Sequence, residues 1–156
     1  MTERRLGQIL IARGLINESQ VQQILDEQAG LEDPPRFGVL ARQRFDLSHD
    51  DVLSALTELH LRRSPQTSLA TERFDAQCLR LLTAEQAWDS LVLPLRTEGE
   101  ELVCATTLET LGSAIEMMEA KTDLAFRFVI VEICQLEQFI AERYAYEGIA
   151  VIEEAA

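Results

Sequence analysis

A shift of 31 residues lays the start of this chain onto itself, and that internal repeat constrains the fold more than any other feature. Arg5-Leu6-Gly7 recurs as Arg36-Phe37-Gly38. The same shift pairs Ile9 with Leu40, Arg13 with Arg44, Ile16 with Leu47, Asn17 with Ser48, Val21 with Val52, Leu25 with Leu56 and Glu27 with Glu58. A tandem unit is one supersecondary element that cannot bury its apolar face alone, so the copies, 5–28 and 36–59, are expected to pack on each other. Two copies are too few for a solenoid, and the rest of the chain must complete the core.

Each copy reads as two short helices with a sharp turn between them. In the first, Leu6, Ile9, Leu10 and Arg13 follow helical spacing, Gly14 can stop the helix in the left-handed conformation, and Asn17 with Gln20 forms a capping box for the next helix. Val21, Ile24 and Leu25 supply its buried stripe. In the second, Ser48 is the cap, Asp51 stands at the third position, and Val52, Leu53, Leu56 and Leu59 form the apolar face. The turns differ. Gly14 is replaced by Phe45, and a bulky residue with positive φ is a genuine outlier. The second turn must take another path, with Asp46 absorbing the bend and Phe45 buried between the copies.

Net charge is −13 and unevenly placed. Residues 1–63 carry eight arginines against ten acids, giving −2; residues 64–156 carry five arginines and one lysine against seventeen acids, giving −11. Such a surface repels nucleic acid and anionic lipid, whose protein affinity rests largely on neutralised phosphates. No run approaches the roughly 20 apolar residues of a membrane span, and Met1-Thr2-Glu3-Arg4-Arg5 lacks the apolar segment of a signal peptide, so the expected location is the cytoplasm without membrane insertion. Cys78, Cys104 and Cys134 show no paired spacing and read as reduced core cysteines, and His49 and His60 share no ligand spacing with them, so neither a disulfide nor a metal site is expected.

Between Leu61 and Phe74 the sequence turns polar around Ser64-Pro65-Gln66-Thr67-Ser68 and reads as a linker. Beyond it, Thr83 with Gln86 caps a short helix through Trp88. Leu91–Leu95 and Leu102–Ala105 form a hairpin around Glu98-Gly99-Glu100. Thr107 then caps a helix carrying Leu108, Leu111, Ile115 and Met118, Phe126–Val131 is a strand, and a last helix aligns Leu136, Phe139, Ile140 and Tyr144. The fold class is α+β: an N-terminal bundle of short helices from two tandem helix-turn-helix repeats, followed by a small α/β layer of three strands and three helices covering one face of the sheet. The chain divides into repeats over 1–61, a linker over 62–73, the α/β domain over 74–147 and a tail over 148–156, whose Ile149–Ile152 can pack back or add an edge strand.

Arg5, Leu6, Gly7, Leu10, Gly14, Leu15, Ile16, Val21, Leu25 and Gln28, followed by Val92-Leu93-Pro94-Leu95-Arg96, Glu98-Gly99, Leu102-Val103-Cys104-Ala105 and Ile140-Ala141-Glu142-Arg143-Tyr144, together resemble a known pattern. It is that of the N-terminal domain of the assembly ATPases of type II secretion and type IV pilus systems, the group that includes the MshEN cyclic-di-GMP-binding domain. The chain departs from it at Leu108-Glu109, where many relatives have Asp-Pro, and in the second copy, where Phe45 and Leu59 replace the turn glycine and the terminal glutamine. It also ends where the family's linker to the ATPase would begin, which implies a stand-alone copy of the domain.

The resemblance implies two functions. In the family this region docks the ATPase to inner-membrane partners, so a detached copy is expected to act as a non-catalytic adaptor on a secretion or pilus machine, peripheral to the inner membrane through its partner; the −11 half would then favour a basic partner surface. The alternative is a cyclic-di-GMP receptor, with Arg5, Leu6, Gly7, Leu10, Gly14, Leu15, Leu25, Gln28, Arg36 and Gly38 as ligand-binding candidates. Arginine can stack on a guanine or grip a phosphate bidentately, and glycine admits close backbone approach. The drift of the second copy should weaken such a site, since each lost contact is worth roughly 1–3 kcal/mol. No cofactor and no catalytic residue are expected. The chain lacks the G-x-x-x-x-G-K-[ST] loop, Gly99, Gly112 and Gly148 stand isolated, and without backbone donors and a lysine for the phosphates the family's ATPase chemistry has nowhere to occur. No serine or cysteine lies in a local nucleophile motif.

Overall fold

The computed structural model describes residues Thr2–Tyr146, with the side chains of 2–5 and 145–146 outside that description. The tail from 148 onward, including the Ile149–Ile152 segment, lies outside the described residues. The chain forms two compact units, Met1–Arg62 and Arg63–Ala156.

The first unit contains α1 (Thr2–Ala12), α2 (Glu18–Ala29), α3 (Phe37–Phe45) and α4 (His49–Arg62), so each copy is a helix pair. The first turn closes as the sequence predicts. Gly14 sits at φ +76, its N–H donates to Ile11 O at 2.9 Å, and Leu15 N–H donates to Leu10 O at 3.0 Å, which is a Schellman stop. Asn17 and Gln20 make the reciprocal capping box, and Ser48 Oγ accepts from Asp51 N–H at 3.0 Å. In the second copy α3 runs on through Phe45, and Asp46 takes the left-handed conformation at φ 54. Aspartate tolerates that region better than phenylalanine would. Moving the bend by one residue leaves Phe45 only half-buried, contrary to the burial expected of it.

The packing is reciprocal. A Cβ on Gly7 would meet the Val21 methyls at 3.0 and 3.1 Å and Phe37 Cζ at 3.3 Å; a Cβ on Gly38 would meet Val52 Cγ1 at 2.9 Å and Leu6 Cδ2 at 3.8 Å. The 31-residue shift carries each of these contacts onto the other, because Val21 maps to Val52 and Leu6 to Phe37. Each glycine therefore lies against the valine of its own copy and the residue that precedes the glycine in the other. Leu10, Ile24, Leu40, Ala41, Ala55 and Leu59 fill the centre. Gln28, which the shift turns into Leu59, ends at the rim and donates from Nε2 to Pro35 O at 2.9 Å, tying the end of α2 to the entry of the second copy.

The second unit holds α5 (Ala84–Ser90), β1 (Leu93–Glu98), β2 (Glu101–Thr106), α6 (Leu111–Lys121), β3 (Ala125–Ile130) and α7 (Ile133–Tyr146). The sheet order is β1-β2-β3, antiparallel in the first pair and parallel in the second. The hairpin turns at Gly99 with φ +64. Thr83 and Gln86 make the expected capping box at α5, which stops at Leu91 in the left-handed region, φ 50. Thr106 Oγ1 donates to Leu91 O at 2.8 Å and anchors that bend.

Several expectations are corrected here. Successive residues of β2, Leu102 to Thr106, are all buried, so both faces of the central strand are covered rather than one. The 3₁₀ segment Ala76–Leu81 lies beside β1, and Asp75 N–H donates to Leu95 O at 2.6 Å. The helix expected from Thr107 starts at Leu111, because Thr107 and Thr110 hydrogen-bond each other across a turn and Leu108 is left in solvent. The polar stretch expected to be a linker is bonded into this unit: Ile130 N–H donates to Pro65 O at 2.8 Å, Thr67 N–H to Ile130 O at 2.9 Å, and Leu69 is buried. Sequence polarity missed it because the bonds are made by backbone. Of the cysteines expected in the core, Cys104 is buried and Cys78 half-buried, each thiol pushed up by burial, while Cys134 is exposed.

The glycine contacts generate a prediction. Gly38→Ala forces Val52 to move, and overpacking of that kind costs about 1–3 kcal/mol. Denaturant unfolding should show a loss near that range, and in Gly38→Ala/Val52→Ala the combined loss should be smaller than the sum of the two single losses. Gly14→Ala should cost about 1–2 kcal/mol for a different reason, its positive φ, and Gly14→Asn should cost less. Wild-type stability in Gly38→Ala, or strict additivity in the double variant, would contradict the close approach.

Candidate functional site

The ten residues singled out by the repeat motif separate into groups. Leu6, Gly7, Leu10 and Gly38 lie in the packed interior of the first unit. Gly14 is the exposed helix stop. Leu15 and Leu25 are half-buried, Gln28 is held by Pro35 O, and Arg36 is the extended residue that caps α3, half-exposed, with its carbonyl accepting from Val39 and Leu40 N–H at 3.0 and 3.2 Å. Arg5 belongs to α1, and its side chain lies outside the described residues. The structure thus brings Leu6 to Gly38 inside the bundle and leaves Leu15, Leu25, Gln28 and Arg36 with partial access to solvent.

The 31-residue shift pairs Arg13 with Arg44 and Glu27 with Glu58. The structure crosses them between copies. Arg13 Nη2 meets Glu58 Oε1 at 2.6 Å, with Nη1 donating to Ser54 Oγ at 2.9 Å. Arg44 grips Glu27 bidentately, Nε to Oε1 at 3.0 Å and Nη2 to Oε2 at 2.5 Å. Glu58 also takes Arg62 from its own helix. The hydrogen bond to Arg44, more than its charge, holds the Glu27 carboxyl below its ordinary value, and Arg44 is correspondingly raised. These crossed pairs were legible, since the shift relates arginine to arginine and glutamate to glutamate, which is the pattern two copies need to exchange ion pairs.

Beside the second turn, Val39, Arg42, Gln43, Asp46 and Leu47 line an open depression of about 310 Å³. Its lining combines one arginine and one aspartate with apolar side chains, and its volume is at the small end of ligand sites. Asp46 and Leu47 are the counterparts of Leu15 and Ile16.

The second unit has its own charge network, in which arginines are taken up internally. Arg96 lies between Glu72 (Nη1–Oε1, 2.9 Å) and Glu98 (Nε–Oε2, 2.6 Å), Arg127 Nη2 holds Glu98 Oε1 at 2.6 Å, and Arg63 Nη2 holds Glu101 Oε2 at 2.8 Å. Burial works against the Arg96 charge, yet Glu98 and Glu72 more than offset it and its titration is raised. Arg96 and then Arg127 hold the Glu98 carboxyl below its usual range. The acidic side chains outside this network set the field of the unit's surface.

The first unit is a tandem pair of helical hairpins and the second a small mixed sheet with helices, in the half of the chain that carries the acidic excess. The MshEN domain model matches residues 62–150, a span that begins one residue before the second unit. The chain belongs to the MshEN domain family. Among solved structures it is similar to one described as MshE with cdg, at 25% identity over 90% of this chain and 99% of that one, TM-score 0.46. It is also similar to the N-terminal domain of XpsE, at 14% identity over 91% and 94%, TM-score 0.45. At these TM-scores the assignment rests on the family match. No curated protein matches the chain. Among the described residues, no helix is long and apolar enough to cross a membrane.

The crossed ion pairs are testable by charge reversal. Arg44→Glu places two carboxylates together and should lower the unfolding midpoint, and Glu27→Arg on that background should restore much of it. Because the folded Glu27 titrates below its ordinary value of 4.5, its contribution is present above that value and is lost as pH falls through the depressed one; Glu27→Gln should therefore flatten the acid limb of the stability curve in that window. An unchanged acid limb, or a double reversal no better than the single one, would contradict the pairing.

Proposed function

We propose that this chain is a non-catalytic adaptor or regulatory module that docks to a protein of a secretion or pilus-assembly machine, on the cytoplasmic side and peripheral to the inner membrane through that partner. The observation that carries the reading is the coincidence of the MshEN match with the second unit. That half of the chain holds the acidic excess, −11 over residues 64–156, which speeds encounter with a basic surface and rejects acidic partners. The sequence also offers no phosphate loop for ATP chemistry. Binding should be measured between the purified chain and the cytoplasmic domain of an inner-membrane assembly protein of such a system. The expected result is saturable binding that weakens as salt rises through the physiological range. Absence of binding at tens of micromolar, or binding indifferent to salt, would contradict the reading.

A second reading, a cyclic-di-GMP receptor acting mainly through the first copy, is favoured by the motif from Arg5 to Gln28 and by the partly exposed Arg36 at the head of α3. Since Leu6, Gly7, Leu10 and Gly38 are engaged in packing, the surface contacts on this reading fall to Arg5, Gly14, Leu15, Leu25, Gln28 and Arg36. Calorimetric titration with cyclic-di-GMP, with GTP as control, tests it. A charged contact is worth roughly 1.5–3 kcal/mol, so Arg5→Ala or Arg36→Ala should each weaken binding about tenfold to a hundredfold. Binding indifferent to both substitutions would remove the site, and no binding by the wild type would remove the reading.

A further inference from the structure

Among the described residues of the second unit, Leu108, Leu124 and Ile133 are large apolar side chains standing in solvent. Two of the three follow the same end of the sheet. β2 and β3 end together at the pair Thr106 and Ile130, and Val131 N–H closes the ladder by donating to Thr106 O at 3.0 Å. From that end the chain leaves twice, through 107–110 into α6 and through 131–132 into α7. Each exit presents one exposed apolar side chain beside one exposed carboxylate: Leu108, 50% exposed, with Glu109, and Ile133, 46% exposed, with Glu132.

Both exits are held in place. The Thr107 and Thr110 hydroxyls lie 2.7 Å apart, and Thr110 N–H donates to Thr107 Oγ1 at 3.2 Å, so Leu108 projects from a bonded turn. Ile133 opens α7, where Leu136 N–H donates to Glu132 O at 3.0 Å. Groups already ordered lose little entropy when a partner covers them. Contiguous exposed apolar surface marks interaction sites, and here two exposed apolar side chains follow the same end of two paired strands. The carboxyl ends of parallel strands are also where open α/β sheets receive their ligands.

The charge chooses the occupant. The second unit's arginines 63, 96 and 127 are spent on Glu72, Glu98 and Glu101, in a half that carries −11 over residues 64–156. An acidic segment would be repelled from Glu109 and Glu132, and a purely apolar one would strip both of water without replacing it. A segment that interleaves apolar residues with lysine or arginine satisfies both demands. Resting on the adaptor reading, we propose that the edge formed by Leu108, Glu109, Glu132 and Ile133 is the docking surface for a basic amphipathic segment of the partner protein.

The test is an NMR titration of the full chain with three synthetic peptides: an amphipathic helix of leucine and lysine, the same helix with serine for leucine, and the same helix with glutamate for lysine. The first should bind with shift changes concentrated at residues 106–110 and 131–135, the second more weakly, and the third not at all. Leu108→Ser/Ile133→Ser, both surface changes, should weaken the first peptide about tenfold or more, as expected of central apolar anchors. Equal affinity in that variant, or shift changes on another face of the second unit, would overturn this edge while leaving a basic partner, and so the adaptor reading, intact. Failure of both basic peptides to bind would overturn the docking surface, while the adaptor reading would fall only if the assembly protein itself does not bind. Concentration-dependent shifts at this edge without peptide would assign it to a second copy of the chain instead.

Discussion

The approach of helices at Gly7 and Gly38 sets the geometry on which the first unit depends. With no Cβ at these positions, the helices of each copy close to the distance at which Val21 and Val52 touch bare backbone, and Phe37 and Leu6 reach across from the opposite copy. Interiors are packed to near crystal density, so a methyl group here is felt by every neighbour. The crossed pairs Arg13–Glu58 and Arg44–Glu27 lie on that arrangement and require it. Exposed ion pairs contribute little to stability on their own. Their physical value is in register: each arginine finds its glutamate only when the two copies are related by the exchange that also seats the glycines.

Much of this was legible in the sequence. The 31-residue shift placed glycine on glycine, valine on valine, arginine on arginine and glutamate on glutamate, and duplicated residues of that kind are what reciprocal packing demands. The Schellman stop at Gly14 and the caps at Asn17, Ser48 and Thr83 were readable because capping is local chemistry. The drifted turn was half legible: Asp46 takes the left-handed bend, but the one-residue extension of α3 that leaves Phe45 half-exposed depends on packing that no local rule contains.

The second unit shows where such reading stops. Residues 65–69 look like a linker by composition, yet Pro65 and Thr67 bond to Ile130 through groups every residue carries, which composition cannot report. Thr107 was a sound cap by type, and the structure instead spends its hydroxyl on Thr110 and starts α6 three residues later than Leu108. The ligand motif met a similar difficulty. Leucine and glycine at Leu6, Gly7, Leu10 and Gly38 suit a purine surface and a helix interface equally well, and burial, which a single sequence does not display, places them in the interface.

The two units therefore divide the chemistry: the first is a reciprocal helical body close to electroneutral, and the second is an acidic α/β layer matched to the MshEN domain family. On the adaptor reading proposed above, docking belongs to the second. Hydrogen–deuterium exchange of the full chain, alone and with the cytoplasmic domain of an inner-membrane assembly protein, tests this most directly. Protection gained within residues 63–146, concentrated where β2 and β3 end, is the predicted result; protection confined to residues 2–62 would contradict it.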